Sequence, residues 1–130
     1  METKTQNSVM LNGVVIYLDR EETIADLPWN AHAKFRNVHL KHLVKGADTK
    51  GLFSCHLVKM EPHAILEDHI HENNIELHEV IEGNGTFTLE TKEAVYHPGS
   101  VGLIPQGKKH SVMAGENGLL LMAKFFPALL

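Results

Sequence analysis

Short apolar runs bounded by turn residues recur along nearly the whole chain, and few stretches carry the 3.6-residue periodicity of a helix. The first run is Val14-Val15-Ile16-Tyr17-Leu18. It is followed by residues 37–44, 52–60, 86–90, 93–96, 101–104, 111–113 and 119–126, each of strand length. Between them lie turn signals: glycines at both ends of Gly46-Ala47-Asp48-Thr49-Lys50-Gly51, then Glu61-Pro62-His63, Glu72-Asn73-Asn74 and Gly83-Asn84-Gly85. Asp19-Arg20-Glu21-Glu22 is charged enough to start a short helical turn, and Pro28-Trp29-Asn30 stops any continuation. Residues 1–8 are polar and are expected to be a loose tail. The pattern predicts an all-β fold, an antiparallel sandwich or barrel of the jelly-roll kind.

Histidine is the compositional anomaly, at 10 of 130 residues. His69-Ile70-His71 places two imidazoles on one face of an extended strand, because alternate side chains point the same way. Glu76 follows a polar turn and can return on the neighbouring strand beside them, and Gly83-Asn84-Gly85 is expected to close that strand into a further turn. A second cluster runs from Gly99 to Pro105, Gly107 and His110, where Pro105 fixes φ and Gly107 permits a reversal that aims His110. Three imidazoles and one carboxylate form a set suited to a divalent metal ion such as Fe, Mn, Ni, Co or Zn. A lone His-x-His is more often surface or core than ligand. Four ligand residues at two spacings, each cluster inside its own turn signals, outweigh that alternative.

These two segments resemble the paired motifs of the cupin superfamily, a His-x-His…Glu…Gly stretch and a Gly…Pro-x-Gly-x-x-His stretch. The resemblance implies a double-stranded β-helix, or jelly-roll, barrel in a single cupin domain at residues 37–130, after an N-terminal arm at 1–36 with a strand and a short helical turn. It implies His69, His71, Glu76 and His110 as metal ligands, and an activity in the range of dioxygenases, isomerases, lyases and decarboxylases acting on small organic molecules. Two positions depart from the motifs: His63 stands where the first usually opens with Gly, and Ala114 where the second often ends in Asn.

Composition narrows the remaining options. At 130 residues and 14.5 kDa the chain is one domain. A net charge of -4 without a Lys/Arg run argues against nucleic acid as a partner. The single cysteine, Cys55, excludes an internal disulfide and, with no basic-then-apolar leader, is expected of a cytoplasmic protein. No apolar run approaches the ~20 residues that span a bilayer. The apolar end Pro127-Ala128-Leu129-Leu130 either caps its own barrel or packs a homodimer.

Strand parity supplies further candidates. With Glu76 inward, His78 and Val80 share its face, which makes His78 the candidate acid–base residue; the alternative is that it supports a ligand's carboxylate. Glu79 replaces Glu76 as ligand only if the strand is bulged. On residues 52–60, Ser54, His56 and Val58 form one face and Phe53, Cys55 and Leu57 the other; the more polar face, if inward, offers substrate contacts, whereas Cys55 and Leu57 inward make the pocket apolar. His39 and Lys41 share a face, an anion site or, more commonly, a solvated edge. His32, His42 and His97 carry no spacing argument, and Met60, Met113, Met122, Phe53, Phe87 and Phe125 are expected in the core. Besides the metal-dependent enzyme, the sequence admits a non-catalytic module that binds or senses a small ligand or metal.

Overall fold

The computed structural model describes residues 8–130, so the polar stretch 1–7 lies outside the described residues. Ser8 belongs to the ordered fold and not to a loose tail: it is buried, and its hydroxyl accepts from Met10 N at 3.2 Å to cap a 3₁₀ turn, Val9–Asn12. Ten strands follow. They are β1 (Val14–Ile16), β2 (Glu21–Thr23), β3 (Asn30–Ala31), β4 (Val38–Val44), β5 (Ser54–Met60), β6 (Ile65–His69), β7 (Ile75–Leu89), β8 (Lys92–Tyr96), β9 (Val101–Ile104) and β10 (His110–Phe126). All pairings are antiparallel. β1 and β2 form a separate hairpin, and the main sheet runs β3-β4-β5-β10-β7-β8, with β6 paired to β10 and β9 to β7. This is the jelly-roll barrel expected from the strand pattern.

Three local expectations are corrected. The charged stretch after β1 is not helical: Glu21 and Glu22 pair with Ile16 and Val15, and the 3₁₀ turn comes later, at Ile24–Asp26. Gly83-Asn84-Gly85 does not end a strand but lies inside the 15-residue β7. Likewise residues 111–113 and 119–126 are parts of one 17-residue strand, β10, interrupted by a register shift between Ala114 and Leu119. The glycines serve close approach here. A Cβ on Gly83 would collide with the Gly118 carbonyl, and both residues take positive φ, 83° and 76°.

β7 and β10 together form a ribbon that rolls up on itself. Its rungs run from Phe126↔Ile75 at one end to His110↔Leu89 at the other. A straight strand from Glu76 to Leu89 would extend about 44 Å. Yet Glu76 Oε1 lies 3.1 Å from His110 Nε2, so the two ends meet.

Both faces of β5 are buried, which the alternating pattern alone does not show. Val58 and Met60 join Leu66, Val80, Phe87, Val112, Leu121 and Phe125 inside the barrel. Cys55, a free thiol, and Leu57 face outward into a second cluster with Ile24, Leu43 and Leu120, roofed by Met10, Leu11, Leu27 and Trp29 from the N-terminal segment. Lys41 is therefore no solvated edge residue. It is 3% exposed, its Nζ donates to Ile24 O at 2.8 Å, and Trp29 lies under both it and Lys59, at 4.8 and 4.7 Å from the ring centroid. Burial, then Lys59, lowers the Lys41 pKa. Of the side chains expected in the core, Met60, Phe87 and Phe125 are buried there, whereas Met113 is 47% exposed. The residues after Phe126 fold back on their own chain: Ala128 N donates to Gly51 O at 3.1 Å and Leu129 N to Ser54 Oγ at 2.9 Å. No helix among the described residues is long and apolar enough to cross a membrane.

Candidate metal centre

His69, the last residue of β6, is the direct cross-strand partner of His110, the first of β10, and their ring centroids stand 4.1 Å apart. His71 lies just past β6, and the bend at Glu72 and Asn73 leads into β7, where Glu76 faces inward. One ligand-type atom from each of His69, His71, Glu76 and His110 lies within 4.8 Å of every other. The sequence spacing thus picks out four side chains that the fold brings together. Glu79, the alternative carboxylate, points to the opposite face and pairs with Lys124 at 2.6 Å.

The ring orientations suit an ion. His69 Nδ1–H donates to Glu67 O at 2.7 Å and His110 Nδ1–H to Lys108 O at 3.2 Å, which leaves each Nε2 as the nitrogen with a free lone pair. His71 Nε2 is 3.4 Å from Glu76 Oε1. Glu76 Oε1 and His110 Nε2 are buried, and despite their proximity neither has a hydrogen-bond partner of acceptable geometry. Unpaired buried polar atoms are costly, and a cation between these donors would satisfy both at once. The donor set therefore fits a divalent metal ion.

Electrostatics point the same way. Burial alone would raise the Glu76 pKa, but His78 and His110 beside the carboxylate hold it well below the usual range, so it is ionised. Burial lowers the pKa values of His69 and His71, aided by the neighbouring imidazoles, which keeps both rings neutral and able to ligate.

Behind the cluster runs a buried relay. Glu76 Oε2 accepts from His78 Nε2 at 2.7 Å, and His78 Nδ1 in turn pairs with the Tyr96 hydroxyl at 2.9 Å. With Nε2 protonated toward the carboxylate, Nδ1 is the acceptor and Tyr96 the donor. Burial, then Glu76, raises the Tyr96 pKa, so the phenol keeps its proton. Tyr96 also stacks on Phe87 at 4.7 Å. Gly102 on β9 faces His78 across the ladder, and a Cβ there would collide with the Tyr96 hydroxyl. Tyr96 and Gly102 are members of the site that sequence reasoning missed; the signal was a lone glycine inside an apolar strand, which marks a close approach.

A cavity of about 250 Å³ opens beside the cluster. His69, His71 and Glu76 line it, with walls from Val38, Leu40, Val58, Leu66, Ala123, Phe125 and Leu129 and a rim that includes His32, Lys34 and Phe35. Of the two faces of β5, the one with Ser54, His56 and Val58 looks inward, though only Val58 of that face lines the cavity. His56 instead pairs with His42 Nδ1 at 2.8 Å and Ser54 Oγ at 2.8 Å. His78 is 2% exposed and does not line the cavity, nor does His97, which is exposed in the turn after β8.

Residues 56–122 match the family model for the cupin domain, just over half of the chain. The chain belongs to the cupin family. Solved structures with the same fold include KdgF from Halomonas sp., at 20% identity and a TM-score of 0.70, covering 79% of this chain and 88% of that one. A predicted oxalate decarboxylase from Thermotoga maritima matches at 20% identity and a TM-score of 0.70 over 79% of this chain and 95% of its own. The polyketide cyclase RemF from Streptomyces resistomycificus matches at 19% and 0.70, over 79% and 75%. No curated protein matches the sequence significantly. Likeness at these identities speaks to the fold. The two departures of this cupin from the motifs are both structural. His63 takes φ of 65°, a conformation that glycine adopts without strain, and Ala114 is 2% exposed in the barrel core.

Proposed function

We propose that this cupin is a metal-dependent protein acting on a small organic molecule, with one divalent ion held by His69, His71, Glu76 and His110. The observation that carries this is the facing pair of unpartnered buried atoms, Glu76 Oε1 and His110 Nε2, beside a mostly apolar cavity. An ion bound there would supply Lewis acidity toward a carbonyl or carboxylate oxygen, or a centre for dioxygen chemistry. The chain's own residues do the rest. Glu67 and Lys108 carbonyls fix the rings of His69 and His110; His78, steadied by Tyr96, holds Glu76 through its second oxygen. His78 acts in this scheme as a positioning residue, because it touches Glu76 and not the cavity. Val58, Leu66 and Phe125 exclude water from the space beside the cluster. Two structural neighbours named as a decarboxylase and a cyclase support chemistry of the lyase or isomerase kind.

The test is metal analysis of protein from its own host, with the His110→Ala variant beside it. Stoichiometric metal in the wild type and its loss in the variant are expected; equal metal in both would sink the assignment.

A non-catalytic ligand-binding or sensing role is the second reading. It is favoured by one observation, that the acid–base candidate His78 is sealed behind Glu76. Oxygen uptake or product formation with candidate substrates separates the two. A homodimer also belongs to this proposal, supported by the exposed apolar side chains Val95, Val101 and Leu103 on β8 and β9, and sedimentation would show its mass.

A further inference from the structure

The connection between β3 and β4, residues 32–37, forms one side of the cavity mouth, and its shape is fixed from within. His32 N donates to Val38 O at 2.8 Å. His32 Nδ1 accepts from Lys34 N at 3.0 Å and from Phe35 N at 3.3 Å. The Phe35 ring rests 4.8 Å from the His32 ring and 5.8 Å from that of His69. A ring nitrogen that accepts from two N–H groups carries no proton of its own, so the imidazole proton sits on Nε2. His32 therefore carries its donor on Nε2, and both it and the neighbouring Lys34, an exposed side chain with an ammonium group, line the cavity.

The inventory of polar side chains on that lining is one-sided. Apart from His32, Lys34 and the imidazoles of the cluster, the only one among the described residues is Glu76, whose Oε2 is taken by His78 and whose Oε1 belongs to the four-ligand cluster. Outside the cluster's own carboxylate, a ligand's donor groups meet no side-chain acceptor on the lining among the described residues, whereas its acceptor groups meet two donor-bearing residues, His32 and Lys34. Between rim and cluster the walls are Val58, Leu66, Phe125 and Leu129. The volume of about 250 Å³ falls below the ~300–1,000 Å³ of drug-sized pockets, so the occupant is small.

We infer that the cavity selects a small organic anion with a hydrocarbon middle, its charged end held by Lys34 and His32 at the β3–β4 loop and a second oxygen-bearing end turned toward the four-ligand cluster. This rests on the metal-site reading above. Burial and Lys34 lower the His32 pKa, which keeps the ring neutral and its tautomer fixed near pH 7. The loop thus sets which substrates enter, and the cluster sets what is done with them.

The test uses full-length protein loaded with Co(II), whose visible bands report on oxygen ligands. Linear dicarboxylates from malonate to adipate are titrated against their own monomethyl esters by calorimetry. The best diacid is expected to bind roughly 10–100-fold tighter than its ester, the range of a hydrogen bond to a charged group, and to perturb the cobalt bands. Lys34→Gln should remove that preference while leaving Co(II) content unchanged, and Lys34→Arg should retain it. Equal binding of diacids and esters, or a preference that survives in Lys34→Gln, overturns the inference and leaves the metal site standing. Failure of the wild type to take up Co(II) overturns both.

Discussion

His78 bridges Tyr96 and Glu76, with its Nδ1 2.9 Å from the phenol oxygen and its Nε2 2.7 Å from Oε2 of the carboxylate, all three side chains buried. A residue so placed would act on a metal bound at the cluster through the carboxylate it grips. His78→Ala is expected to weaken metal binding by about 10–100-fold, the usual effect of removing a partner of a metal ligand. His110→Ala, which removes a direct donor, should weaken it further. Equilibrium titration with a chelator of known affinity reads both. A full loss of turnover in His78→Ala with unchanged metal affinity would instead make His78 an acid–base group.

Tyr96→Phe leaves His78 Nδ1 without its donor in a dry setting. The expected cost is about 1–3 kcal/mol of stability, measured by urea unfolding. Gly102→Ala should cost a similar ~1–3 kcal/mol, because the new methyl displaces the Tyr96 hydroxyl. The two are coupled: in the Tyr96→Phe background the Gly102→Ala penalty should shrink by at least ~0.5 kcal/mol. Strict additivity would refute the collision as its cause.

Acid should weaken the metal-free protein in a defined window. Burial, then His42, pushes the His56 pKa down to about 4 from 6.5, so the unfolded chain takes up a proton at higher pH than the folded one. Stability is therefore undiminished above pH 6.5, declines as pH falls through the interval, and the full penalty is present below about 4. At ~1.4 kcal/mol per unit the contribution is on the order of 3–4 kcal/mol. Burial gives His69 and His71 the same sign. Glu76, with its depressed pKa, contributes stability that is complete above the ordinary value of 4.5 and is lost on further acidification. Urea midpoints from pH 7 to 4 should fall for the wild type, and less steeply for His56→Gln.

His63 holds a positive φ on the exposed turn before β6, where a side chain costs about 1–2 kcal/mol of backbone strain. His63→Gly trades that strain against a more flexible unfolded chain, and a net gain of up to about 1 kcal/mol is expected. A lower thermal midpoint in this variant would contradict the strain.

What could be read from the residues was whatever depends on near neighbours. Alternation along β7 turned Glu76, His78 and Val80 inward together, and the turn signals around His69, His71 and His110 delivered the cluster. Gly83-Asn84-Gly85 and the Ala114–Gly118 stretch were misjudged because a glycine that permits a turn equally permits a bent strand crossing another at close range. The choice depends on the partner strand, some thirty residues away. The Tyr96–His78 bond and the burial of Lys41 under Ile24 and Trp29 were invisible for the same reason: each joins segments with no local signature of the other.

The meeting of Glu76 and His110 has a consequence for how the molecule comes apart. They occupy opposite extremities of a coiled two-stranded band, so anything that ties them together acts as a clasp on the whole roll, as a pin holds a scroll. The cluster beside the cavity and the closure of the barrel thus share one fastening, the approach of Glu76 to His110.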